Sequence, residues 1–97
     1  TGNFDQDSDL RSLTRLALAQ GFQIKKDEPR AIEQFLRLES STKSDAFRSA
    51  AKCELAKLWW STKPDSAKSR LKQVLALENA PALDKWYADF LLKSQEN

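Results

Sequence analysis

The stretch Asp5-Gln6-Asp7-Ser8-Asp9 is the first candidate for chemistry, because alternating carboxylates open a calcium-binding loop. Such a loop needs glycine at its sixth position and a bidentate glutamate at its twelfth. Leu10 and Leu16 stand there instead, so residues 1–9 read as an acidic, flexible segment leading into a helix cap. Cys53 is the single cysteine and the chain has no histidine. One cysteine makes neither an intramolecular disulfide nor a multi-cysteine metal site. Without imidazole, a serine or cysteine nucleophile lacks its usual activating base. Gly2 and Gly21 are too few for a phosphate-cradling loop. The sequence therefore assigns no catalytic, cofactor-binding or metal-ligating residue, and the expectation is a protein that is not an enzyme and takes no cofactor.

Other chemistry-bearing residues point to surfaces. Glu54 is an acid inside an otherwise apolar stripe, so it requires a partner and reads as one half of a salt bridge. Trp59 and Trp60 are adjacent, which on a helix separates their side chains by about 100°. Trp59 is expected inside a hairpin and Trp60 against a neighbouring helix, the alternative being that Trp60, or Trp86 with Tyr87, anchors a bound segment as a hot spot. Cys53 reads as small core filler. Residues 43–72 hold eight basic groups, Lys63, Lys68, Arg70 and Lys72 among them, against three acids. That basic patch could meet an acidic partner or nucleic acid, but no aromatic interleaves it and no nucleic-acid motif is present, so a solvated face is expected.

The elements that position these residues are helices. Leucine and alanine dominate, while only Val74, Ile24 and Ile32 are β-branched aliphatics. Start signals recur before Leu10, Ala31, Ala46, Ala67 and Leu83, each combining a capping oxygen, an early acid or a proline. The reading is five helices, at 9–24, 28–40, 45–62, 64–78 and 80–94. At 97 residues they form one domain, residues 10–97. The third carries two apolar stripes, Phe47, Ala50, Ala51, Leu55 and Leu58 on one side and Ser49, Cys53, Ala56 and Trp60 on the other, with Arg48 and Lys52 along one edge. Two apolar faces place a helix between neighbours. The fifth carries one stripe, Leu83, Trp86, Tyr87, Phe90 and Leu91, as a terminal cap would.

An internal echo organises the first four helices. Leu18-Ala19 followed by Phe22 maps onto Leu55-Ala56 followed by Trp59, 37 residues later, and Ala31, Phe35 and Leu38 map onto Ala67, Leu71 and Val74, 36 later, while an alternative shift of 39 aligns Leu36-Arg37-Leu38-Glu39 with Leu75-Ala76-Leu77-Glu78. A helical hairpin repeating at this period marks a solenoid. Leu18, Ala19, Phe22, Ala31 and Phe35 resemble the tetratricopeptide repeat pattern, in which small residues let helices approach and aromatics fill the gaps between them. Glu54-Leu55-Ala56 and Pro81-Ala82-Leu83 are similar to bacterial membrane-anchored proteins of this family. This second likeness spans Ala46 to Leu92; the tetratricopeptide resemblance spans residues 12–78 and departs from the pattern at Arg15, where tryptophan is common, at Leu38, where a small residue is common, and in having no closing proline.

The resemblance implies an all-α fold of two tetratricopeptide-like antiparallel hairpins closed by a C-terminal capping helix. It also implies a non-enzymatic interaction module (adaptor, co-chaperone or assembly factor) binding a peptide or protein in the groove lined by the first helix of each pair. By that analogy the outward residues Arg11, Arg15, Lys52 and Trp60 are the expected partner contacts. The competing expectations are a structural or self-associating domain of a larger assembly and, behind it, a binder of nucleic acid or an acidic partner. The longest uncharged run, Leu16 to Ile24, is too short to span a bilayer. The chain opens Thr1-Gly2-Asn3, as a processed or excised piece would, and the compartment stays open between intracellular and bacterial periplasmic.

Overall fold

The computed structural model describes residues 6–94, with side chains from Ser8 onward. Five helices run in order: α1 Gln6–Ile24, α2 Glu28–Ser41, α3 Asp45–Trp59, α4 Pro64–Ala76 and α5 Ala82–Ser94. Among the described residues there is no strand. Of the expected acidic lead-in, residues 6–9 belong to α1, while 1–5 lie outside the described residues.

Local chemistry sets the helix ends. Asp27 caps α2, its carboxylate accepting from the Arg30 amide at 3.4 Å, and Pro29 occupies the first turn, where no amide hydrogen is needed. Ser44 caps α3 by accepting from the Phe47 amide at 3.4 Å, with Asp45 complementing the helix dipole. Pro64 opens α4 without a side-chain cap at Lys63. The sequence expects α3 to reach residue 62, but it ends at Trp59, and the Lys63 amide turns back to donate to the Trp59 carbonyl at 2.8 Å. The Trp60 amide has already slipped to the Lys57 carbonyl at 3.5 Å, and proline at 64 holds Lys63 out of helical backbone, so the turn is not continued. α1 ends through Lys26, a non-glycine residue at φ 61°, with the Asp27 amide donating to the Phe22 carbonyl at 2.8 Å.

Consecutive helices pack as antiparallel hairpins, α1 with α2 and α3 with α4, and α2 joins the first hairpin to α3. α5 closes on α4 and α3, and α1 also touches α3, so the odd-numbered helices form a continuous row. The repeated triplets of α2 and α4 become the core: Ala31, Phe35, Leu38, Ala67, Leu71 and Val74 are all fully buried. Each large side chain among them stabilises the fold by about 1.5–3 kcal/mol. Ala19, Ala51, Ala56 and Ala88 are likewise buried and mark where backbones approach. α3 is buried on both expected sides, through Ala51 and Leu55 and through Ser49, Cys53 and Ala56.

Polar clamps lock the hairpins together. Glu39 of α2 takes Lys52 Nζ of α3 at 2.9 Å on Oε2 and Arg70 Nη2 of α4 at 3.1 Å on Oε1. Arg70 Nε lies 2.8 Å from Oε2 but without the alignment of a hydrogen bond, so charge holds that limb. Lys52 also donates to Gln73 Oε1. At the C-cap of α2, close by, Ser12 donates to Thr42 Oγ1 at 2.9 Å, and Arg48 joins the Thr42 carbonyl to Asp45.

Candidate functional site

The row of odd-numbered helices leaves a groove of about 360 Å³. Leu16 and Gln20 of α1 form one wall, Ala50, Cys53, Glu54 and Lys57 of α3 the floor, and Leu83, Asp84, Trp86 and Tyr87 of α5 the other wall. Helical spacing explains the membership: Ala50, Glu54 and Lys57 fall on successive turns of one face of α3. The groove lining is mostly apolar, with a few fixed polar groups, the usual make-up of a binding cleft.

Those polar groups are held in place. Lys57 Nζ donates to Glu54 Oε1 at 3.2 Å, so the salt bridge expected for Glu54 forms one turn away, and Gln23 Nε2 of α1 donates to Oε2 at 3.1 Å. Lys57 also stands 5.2 Å above the Tyr87 ring, tying α3 to α5 by a cation–π contact. Burial works against the Lys57 charge, but Glu54, through charge and hydrogen bond, outweighs it and raises the ammonium pKa above its ordinary value. Ser49 Oγ donates to Asp84 Oδ2 at 2.7 Å and fixes the start of α5. Burial first, then the Asp84 carboxylate, pushes the Cys53 thiol up to about 11, which makes it a packing residue with little thiolate near neutral pH.

The α5 stripe does not bury as one face. Ala88 is the fully buried residue, with Tyr87, Leu91 and Leu92 packed beside it, whereas Leu83, Trp86 and Phe90 remain exposed. Inward-facing Asp84 and Ala88 rotate the helix so that Trp86 is 62% exposed and stacks on Phe90 with ring centroids 5.6 Å apart.

The expected contact residues separate. Lys52 is not outward: Glu39 and Gln73 draw it into the joint between α2 and α4, where it is buried. Trp60 is half-buried, packed against the core at the C-terminal end of α3, and Trp59 is buried within its hairpin. Arg11 and Arg15 line a different cleft, on α1 and α2 away from α3, with Leu10, Thr14, Leu18, Gln34 and Arg37. The basic patch also divides. Lys63 and Arg70 sit 5.5 and 5.4 Å from the Trp59 ring centre, and Arg70 is ion-paired with Glu39. Lys68 and Lys72 face a shallow hollow with Asp65, Ser69 and Gln73. Sequence reasoning missed Gln20, Lys57, Leu83 and Asp84 as groove residues. The signal was available in the 37-residue repeat, which sets Leu16 and Gln20 in register with Cys53 and Lys57.

Among the described residues no helix is long and apolar enough to cross a membrane. Comparison of the chain with family models, with curated proteins and with solved structures gives no match in any of the three.

Proposed function

We propose that the chain is a non-enzymatic interaction module that holds a peptide or protein segment in the groove of α1, α3 and α5. The observation that carries this is the exposed Trp86 beside Tyr87 over a floor pinned by Glu54 and Lys57. Exposed aromatic surface next to a fixed floor is what a binding hot spot requires: a large apolar contact at low ordering cost. The occupant is a segment with one or two apolar anchors set against Leu16, Leu83 and Trp86, its backbone meeting Gln20 at the rim. The tetratricopeptide resemblance supports the same class, with adaptors, co-chaperones and assembly factors as its members. A second reading, a structural segment of a larger helical assembly, draws on exposed Leu83, Trp86 and Phe90 at one end of the array. Binding of nucleic acid is the weaker alternative, since Arg70 is already engaged by Glu39.

The test is selection of displayed random peptides on the 97-residue chain. Selected peptides should lose binding at least ~10-fold on Trp86→Ala, keep it on Lys68→Glu with Lys72→Glu, and change little with salt. Peptides indifferent to Trp86, or a steep salt dependence removed by the lysine changes, would remove the groove reading.

A further inference from the structure

The two hairpins differ in what covers them. On α3, Ala51, Lys52 and Leu55 project into one sector of about 100°. Ala51 and Leu55 are fully buried, and Lys52 closes the sector by pairing with Glu39 of the preceding helix α2, where Arg70 and Gln73 of α4 meet the same pair. The 37-residue register places Thr14, Arg15 and Leu18 of α1 at those three positions, and the 36-residue register places Gln34 and Arg37 of α2 at those of Arg70 and Gln73. Both sites thus offer two cationic groups and one glutamine around an apolar strip.

On α1 the site is open. Leu10 is 61% and Leu18 48% exposed, and the five equivalent residues line one cleft of about 510 Å³ with Leu10 and Arg11. The second helix of the hairpin is present at both sites, so the difference is the helix that precedes the hairpin. Among the described residues Arg15 has no ion pair, and Arg37 is held by Glu33 of its own exposed face at 2.9 Å. The cleft therefore presents basic charge and leucine surface but no acid in the position of Glu39.

We infer that the outer face of the first hairpin docks an amphipathic helix of a partner protein, one that lays an aliphatic stripe on Leu10 and Leu18 and aims a carboxylate at Arg15 and Arg37. Continuity with the α2–α3 joint supplies the geometry, and the unanswered arginine supplies the charge complementarity. This face is separate from the groove and the inference stands whether or not the groove holds a peptide.

The probe is α2 itself, as a labelled synthetic peptide of residues 28–42 carrying Arg37→Lys and locked helical by condensing the lysine amine with the Glu33 carboxyl to a lactam on its outward face. Binding to the full chain is read by fluorescence anisotropy. Saturable binding is expected, weakened at least ~10-fold by Arg15→Glu in the chain or by Glu39→Lys in the peptide, and recovered when both changes are combined. Trp86→Ala in the chain should leave it unchanged, which separates this face from the groove. Arg15→Gln, a milder change at a residue with no ion pair among the described residues, should also weaken the unaltered peptide, so the matter is decided even if Arg15→Glu folds poorly. No binding, or binding that Arg15→Glu in the chain leaves unchanged, as when the peptide displaces resident α2 and meets Lys52 and Arg70 instead, overturns the inference. So does a dimer of the chain, seen by sedimentation and dissolved by Arg15→Glu, because the face would then belong to a second copy.

Discussion

Replacing Glu39 by glutamine should destabilise the chain far more than replacing Lys52 by methionine, although the two residues share one ion pair. Glu39 is the only acid in its cluster, facing Lys52 and Arg70, while Gln73 adds a neutral acceptor. The side chains of Glu39, Lys52 and Arg70 are 14%, 10% and 22% exposed, so water screens the cluster only in part. Glu39→Gln leaves two cations close together without a counter-charge, at a cost of about 3–5 kcal/mol. A domain of this size has about 5–15 kcal/mol in all, and each kcal/mol shifts Tm by about 4–8 °C, so a drop of at least ~12 °C is expected. Lys52→Met keeps the stem's volume and leaves Glu39 with Arg70, so its cost should stay within about 1 kcal/mol. Urea and thermal unfolding followed by circular dichroism read both. Equal losses, or a Glu39→Gln change below ~1 kcal/mol, would refute the view that one acid balances two helices' cations.

Three further outcomes follow from other sites. Trp59→Ala, in the hairpin, should cost about 3–5 kcal/mol, whereas Trp86→Ala, mostly exposed, should stay within about 0.5 kcal/mol; urea unfolding separates them. The Cys53 thiol lies above its ordinary 9.0, at about 11, so the folded chain holds its proton where the unfolded chain releases it. Its contribution is therefore complete below pH 9 and is lost as pH rises through about 11; Cys53→Ala should flatten that part of the stability profile, and labelling by iodoacetamide at pH 8 should be far slower folded than in urea. Lys26→Gly, relieving a left-handed residue at the end of α1, should raise stability by about 0.5–1 kcal/mol in the same unfolding assay.

Most of the fold was legible because its signals are local. Capping oxygens at Asp27 and Ser44 and the prolines at 29 and 64 mark helix starts, and the triplets Ala31, Phe35, Leu38 and Ala67, Leu71, Val74 mark the buried sides. What the sequence hid is set by distant partners. Lys52 looks outward on a helical wheel, and only Glu39 and Gln73, from two other helices, explain why it turns in. Leu18 fits the repeat pattern of a packed residue, yet it is open because no helix precedes α1 on that side among the described residues. The α5 stripe looked continuous by spacing, but Asp84 bonding to Ser49 rotates Trp86 and Phe90 away from the core. The groove follows from the same non-local fact, since its walls come from three helices.

The central claim, that the α1–α3–α5 groove is the binding surface, is tested most directly by nitrogen-15 amide mapping of the chain titrated with a peptide selected on it. The account predicts that the largest shifts gather on Gln20, Ala50, Glu54, Lys57, Trp86 and Tyr87, with little change at Lys68 and Lys72. Shifts centred on the Lys68–Lys72 face, or spread evenly over the five helices, would contradict it.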